Sequence, residues 1–136
     1  MAHRLSLLLA LVPLLGLGEL GLSAYFSRRA PDFAAYAALG PKLEKLKQPG
    51  IPVVVAPAWA EPLVRQAAPK AFPIAELTRP DNSGFRQVIE VSLLGAHAAE
   101  LSGFAVKSQQ QVGPFELTLR DNPRPSPPEF DFVTAV

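Results

Sequence analysis

Ile51-Pro52-Val53-Val54-Val55-Ala56-Pro57-Ala58-Trp59-Ala60-Glu61-Pro62 is the stretch on which the fold turns. Its first half is an almost unbroken apolar run of strand length, bounded by prolines, as expected of a strand covered on both faces. We therefore expect a central strand here. Pro62 suits a first helical turn, and Leu63, Val64, Ala67 and Ala68 continue a short helix as far as Pro69. Ala71 to Leu77 reads as a returning strand, which completes a βαβ unit. A right-handed crossover then leaves Ala58-Trp59-Ala60-Glu61 at the carboxyl end of the first strand, where open α/β sheets bind ligands.

Toward the amino terminus, Asp32 follows Pro31, and Phe33, Tyr36, Leu39, Leu43 and Leu46 recur at three- and four-residue spacing. That spacing predicts an amphipathic helix, kinked or split at Gly40-Pro41 and ended by Gln48-Pro49-Gly50. Lys42, Glu44, Lys45 and Lys47 form its solvated face.

Toward the carboxyl terminus, Pro80 to Gly84 is a concentrated turn signal. Beyond it Phe85, Ile89, Val91 and Leu93 oppose Arg86, Glu90 and Ser92, the pattern of a half-buried strand. Gly95 and the segment Ala96 to Glu100 suit a turn or short helix. Phe104 to Val112 and Phe115 to Arg120 then read as an antiparallel hairpin through Gly113-Pro114, with Phe115, Leu117 and Leu119 inward and Glu116, Thr118 and Arg120 in water. Pro123-Arg124-Pro125-Ser126-Pro127-Pro128 favours polyproline II, a tail that Phe130 and Phe132 pin back.

Leu5 to Phe26 is apolar apart from Ser6, Glu19 and Ser23, and as a helix would measure about 33 Å, the thickness of a bilayer core. Its ten leucines outweigh the cost of Glu19 in a per-residue insertion sum. The reading is a transmembrane signal-anchor over residues 1–29, then a small α/β domain over 30–122 and a Pro-rich tail over 123–136. The alternative is a cleaved secretory signal ending near Leu22-Ser23-Ala24, which yields a secreted binding domain. Arg28, Arg29, Lys42, Lys45 and Lys47 favour a cytoplasmic domain by positive-inside counting. The basic n-region at Arg4 followed at once by leucines favours the opposite side, and the expected location is extracytoplasmic, that is, periplasmic.

The 136 residues carry 13 Lys+Arg against 12 Asp+Glu, a formal +1 that argues against a broad grip on nucleic acid. With 49% hydrophobic residues the chain is no charged disordered tail, and the absence of Cys removes disulfide, zinc-knuckle and thiol chemistry. His3 lies in the n-region, so His97 is the one imidazole of the domain. A divergent hydrolase or transferase would use Asp81, Glu90 or His97; a separate possibility is a nucleophile–His pair of Ser92 or Ser102 with His97. Such a site requires these groups to converge. Otherwise the scattered carboxylates, Glu100, Glu116 and Asp121 among them, are solvated or at turns. No GxGxxG, Walker, HExxH, GxSxG or EF-hand pattern occurs, and no cofactor or metal is expected. Trp59 is placed to stack on a sugar ring or apolar ligand, with Glu61 and Arg65 as polar contacts. Its competing role is to cap the core beneath the helix. Pro125 and Pro128 satisfy PxxP, and Thr134-Ala135-Val136 a PDZ-ligand pattern.

Three runs, Val53 to Leu63, Phe85 to Ser92 and Arg120 to Pro125, resemble the soluble portion associated with bacterial polytopic membrane glycosyltransferase-like proteins that use lipid-linked sugars. The resemblance implies an α/β accessory domain outside the cytoplasm, in contact with a glycan or a partner transferase. In that family the chemistry belongs to acidic loops of a many-helix membrane domain, so no catalytic residue carries over to this chain. The sequence as a whole thus reads as a membrane-anchored accessory or binding module, not an enzyme.

Overall fold

A computed structural model describes residues 2–74 and 82–126, with side chains from Val12 onward. Two compact units separate at the Pro31–Asp32 boundary. The first holds a helix, α1 (Ala2–Arg29), with Pro13 inside it and Arg28 and Arg29 in its last turn. Among the described residues no helix is long and apolar enough to cross a membrane, which overturns the transmembrane segment expected from Leu5 to Phe26. The leucine sum gave no weight to what dilutes the run. From Val12 on, Pro13, Gly16, Gly18, Glu19, Gly21, Ser23, Ser27, Arg28 and Arg29 interrupt it.

The second unit is a small α/β domain built on a mixed four-stranded sheet. Along the chain run α2 (Phe33–Leu46), β1 (Val53–Ala56), α3 (Glu61–Ala67), β2 (Gln87–Leu93), β3 (Ala105–Val112) and β4 (Phe115–Asp121). The strand order is β1-β2-β4-β3. β1 pairs parallel with β2, placing Val53 beside Ile89 and Ala56 beside Ser92, while β4 runs antiparallel to both β2 and β3. The parallel pair joined through α3 is the βαβ crossover, but its return strand is Gln87–Leu93 and not Ala71 to Leu77. Pro69–Ala71 is instead a 3₁₀ turn whose Ala71 is buried, and residues 75–77 lie outside the described residues. β1 is also an edge strand, not a central one. Four residues between Pro52 and Pro57 are too few to carry a ladder on both sides, and proline has no N–H to give one.

Alternation divides β1, β2 and β4 between two faces. Val53, Val55, Ile89, Val91, Leu93, Phe115, Leu117 and Leu119 face α2 and α3 and make the main core with Tyr36, Leu39, Leu43 and Val64. α2 starts where the Asp32 carboxylate accepts the Ala35 N–H at 2.8 Å. It then continues as one helix through Pro41, so of the expected kink or split the split does not occur. Gly40 has a packing role of its own. A Cβ there would stand 2.3 Å from the Ala67 carbonyl oxygen, so the glycine is the gap that lets α3 rest on α2. Tyr36 packs edge-on to Phe115 with ring centroids 5.0 Å apart, while Phe33, one turn earlier, is exposed. At the far side the hairpin closes through Gly113 at φ 57° and Pro114, the backbone of a two-residue primed turn.

The opposite face is covered too, against the expectation that it would be wet. After β2 the chain reverses through Leu94 and Gly95, both at positive φ, and the Ala96 N–H returns to the Leu93 carbonyl at 3.1 Å. This lays residues 96–104 across the sheet, where Leu101 packs with Phe85 and Val88 beside Val54, Ala98 and Phe104. β2 is therefore buried on both sides.

Two outcomes follow from this packing. Gly40→Ala should cost about 1–3 kcal/mol through the clash with Ala67, whereas Gly103→Ala, in open space, should leave urea unfolding nearly unchanged. Burial raises the Tyr36 phenol above its ordinary pKa of 10.0. The neutral phenol thus stabilises the fold fully below that value, and the contribution is lost as pH rises through the folded pKa. Thermal melts in alkali should fall less steeply for Tyr36→Phe than for the parent.

Candidate binding surface

The carboxyl end of β1 carries the residues that the sequence marked. The chain leaves Ala56 through Pro57 into a 3₁₀ turn, Ala58–Ala60, closed by the Ala60 N–H on the Pro57 carbonyl at 3.0 Å. This turn runs directly into α3. Ala60 and Val64 are fully buried and hold the segment to the core. Trp59 points the other way with 58% of its surface exposed, so it does not cap the core. Leu63, one turn along, is 45% exposed and extends the same apolar ledge. Glu61 and Arg65 flank it as an ion pair with each other, and the Arg65 guanidinium lies 5.0 Å from the centre of the Phe72 ring. The structure brings Trp59, Glu61 and Arg65 onto one short segment. It also occupies the two charges, leaving the tryptophan as the open group.

A second constellation was legible only as scattered polar residues. Glu90, on β2, is 0% exposed. One carboxylate oxygen accepts the Ala98 N–H at 2.7 Å, and the other meets the Arg120 Nε and guanidinium nitrogen at 2.6 Å each. His97 Nδ1 stands 3.4 Å from that second oxygen and 3.2 Å from the Ser92 hydroxyl. A serine, a histidine and a glutamate thus meet, but not as a relay. In a relay the nucleophile and the orienting carboxylate use opposite ring nitrogens, and here both approach Nδ1. The Glu90 charge is spent on Arg120 and on a backbone N–H, and among the described residues no buried side-chain nitrogen or oxygen lacks a partner.

The remaining candidates that are described stay apart. Asp81, Pro128 and the terminal Thr134-Ala135-Val136 lie outside the described residues, while Glu100 and Ser102 are exposed around the 3₁₀ turn Ala99–Leu101. Asp121 accepts a hydrogen bond from Gln87 Nε2 at 2.6 Å across β2 and β4. Among the described residues no three His, Asp or Glu side chains gather as metal ligands. Asn122 has a role that its turn-like sequence did not reveal. Its amide nitrogen donates to the Ser83 and Phe85 carbonyls at 2.9 and 3.1 Å, and its oxygen accepts the Arg124 N–H at 3.0 Å. The first tail residues are thereby tied to the loop before β2, and the Ser126 N–H reaches the Ser83 carbonyl at 2.9 Å.

Comparison with protein-family models, curated proteins and solved structures finds no match to the chain.

Because Glu90 is enclosed, removing either partner of its ion pair strands a charge. Glu90→Leu and Arg120→Met should each destabilise by about 3–5 kcal/mol in denaturant titrations, with the double variant well short of their sum. A nearly additive double variant would show the pair to be uncoupled.

Proposed function

We propose that residues 32–126 form a binding module that engages a partner through the Trp59 ledge outside the cytoplasm, without chemistry of its own. The exposure of Trp59 carries this reading. A small domain has few large side chains with which to fill its core, and this one leaves its single tryptophan in solvent. Aromatic rings presented on rigid elements are the usual anchors of interfaces, since much area is gained at little entropic cost. The turn beneath Trp59 is rigid in that sense, fastened by Ala60 and Val64. Its place past the carboxyl end of a parallel strand is also where α/β sheets most often present ligands to loops.

The separate amino-terminal unit fits an export leader, with Arg4 ahead of the leucine run and small residues at Ser23 and Ala24. That placement, with the resemblance to a glycosyltransferase-associated domain, favours an accessory that recruits a neighbour over a free-standing catalyst. Ser92, His97 and Glu90 offer no competing site, because one ring nitrogen receives both neighbours.

The test is a photo-crosslinking amino acid placed at Trp59 in living cells, with a matched probe at Glu100. Adducts specific to position 59 are expected, and Leu63→Ala should reduce them severalfold while thermal stability stays near that of the parent. Identical adducts from both positions, or none that respond to Leu63→Ala, would sink the ledge as a binding surface.

A further inference from the structure

The opposite end of the sheet carries a second feature, independent of the Trp59 ledge. At the amino end of β2 an open groove of about 510 Å³ is walled by Ile51, Arg86, Gln87, Lys107, Asp121 and Asn122, among others. This volume falls within the ordinary range of small-molecule sites. Its placement is built, not incidental. The β3–β4 register shifts between Val106 and Ser108, leaving Lys107 as the extra residue of a bulge, a device that re-aims a side chain at a strand end. Asn122 fixes the wall beside it through its bonds to Ser83 and Phe85.

The donors and acceptors of the groove define what it can hold. Among the described residues neither the Arg86 guanidinium nor the Lys107 ammonium has an ion-pair partner, so two cationic donors are available on one concave surface. Asp121 gives one oxygen to Gln87 Nε2, leaving its second oxygen and the Gln87 carbonyl as acceptors. Two positive groups and one negative give the groove a net +1. A dianion without hydroxyls would have no donor for the Asp121 carboxylate, and a neutral sugar would draw nothing from the two cations. A ligand with one carboxylate and several hydroxyls satisfies both sides, with the carboxylate between Arg86 and Lys107 and hydroxyls donating to Asp121 and Gln87. Ile51 adds an apolar wall for the ring carbons.

We propose that this groove binds a sugar acid, a hydroxylated monocarboxylate of monosaccharide size. The probe is sodium glucuronate, titrated into the ¹⁵N-labelled full chain at constant ionic strength, with sodium acetate and glucose titrated separately. Glucuronate should move the amides of Ile51, Gln87, Asp121 and Asn122 at concentrations at which acetate and glucose do not. The double variant Arg86→Gln, Lys107→Gln changes exposed side chains and should keep a dispersed spectrum while weakening glucuronate about tenfold. Asp121→Asn should lower the preference for glucuronate over acetate. If acetate binds as tightly as glucuronate, or if the double variant binds glucuronate unchanged, the assignment is overturned. Neither result bears on Trp59, which lies at the other end of the parallel strands.

Discussion

A carboxylate in the middle of a sheet must be met by a cation and by hydrogen-bond donors, and the Glu90–Arg120 pair with the Ala98 N–H meets that demand here. The rest of the domain is arranged around it. Arg120 reaches Glu90 only if β4 lies beside β2 in the observed register, with Thr118 opposite Glu90, so the ion pair and the ladder specify one another. A slip of one residue would turn Glu90 toward Leu39 and Leu43 and leave Arg120 without its partner. The Ala98 N–H reaches the other carboxylate oxygen only if the chain doubles back at once after β2. That reversal places Leu94, a γ-branched residue, at φ 56°, which costs on the order of 1–2 kcal/mol relative to glycine. What offsets the strain is the layer that the reversal creates, with Leu101 against Phe85 and Val88.

This enclosure explains where the sequence could and could not be followed. Apolar alternation in Phe115, Leu117 and Leu119, with Gly113-Pro114 before them, specifies the β3–β4 hairpin because strand period and turn chemistry agree. Helical spacing from Tyr36 to Leu43 marks the face of α2 for the same reason. The polar side of β2 and β4 misleads because alternation reports polarity, and polarity is an indicator of water only when the charges do not satisfy one another. Val88, the apolar member of the Val88, Glu90, Ser92 series, was the one local sign that this side is covered. Nothing in the sequence shows that Glu90 and Arg120, 30 positions apart, meet.

Proline and glycine punctuation misled in a different way. Gly40-Pro41 reads as a break because proline forfeits a helical hydrogen bond. Tertiary contact reverses that judgement, since the missing Cβ of Gly40 is what admits the Ala67 carbonyl. Pro52 and Pro57 bracket an apolar run whose composition suits a doubly covered strand. The same prolines limit the ladder that β1 can form, and the strand settles at the edge beside β2. At the other edge, β3 is exposed along its length as far as Val112 and carries Ser108, Gln109, Gln110 and Gln111. Its polar side chains and the Lys107 bulge discourage further strands from adding there.

The two candidate surfaces differ in kind, and the difference follows from the topology. Past the carboxyl ends of β1 and β2 the chain turns sharply, and turns present side chains outward from a fixed backbone. The Trp59 ledge is accordingly convex and apolar, suited to a partner that brings its own pocket. At the amino end of β2, β1 stops two residues short of the level that β2, β4 and β3 share, the tail is tied across by Asn122, and a concavity remains there. Arg86 and Lys107 beside it are exposed, so their charges keep contact with water and need no partner from within the fold. The interior ion pair and the groove thus obey one rule from opposite sides: charges enclosed by the fold are neutralised by it, and charges left at its margin remain available to something else. By that rule Arg120 is structural, whereas Arg86, just ahead of β2, keeps its charge in solvent.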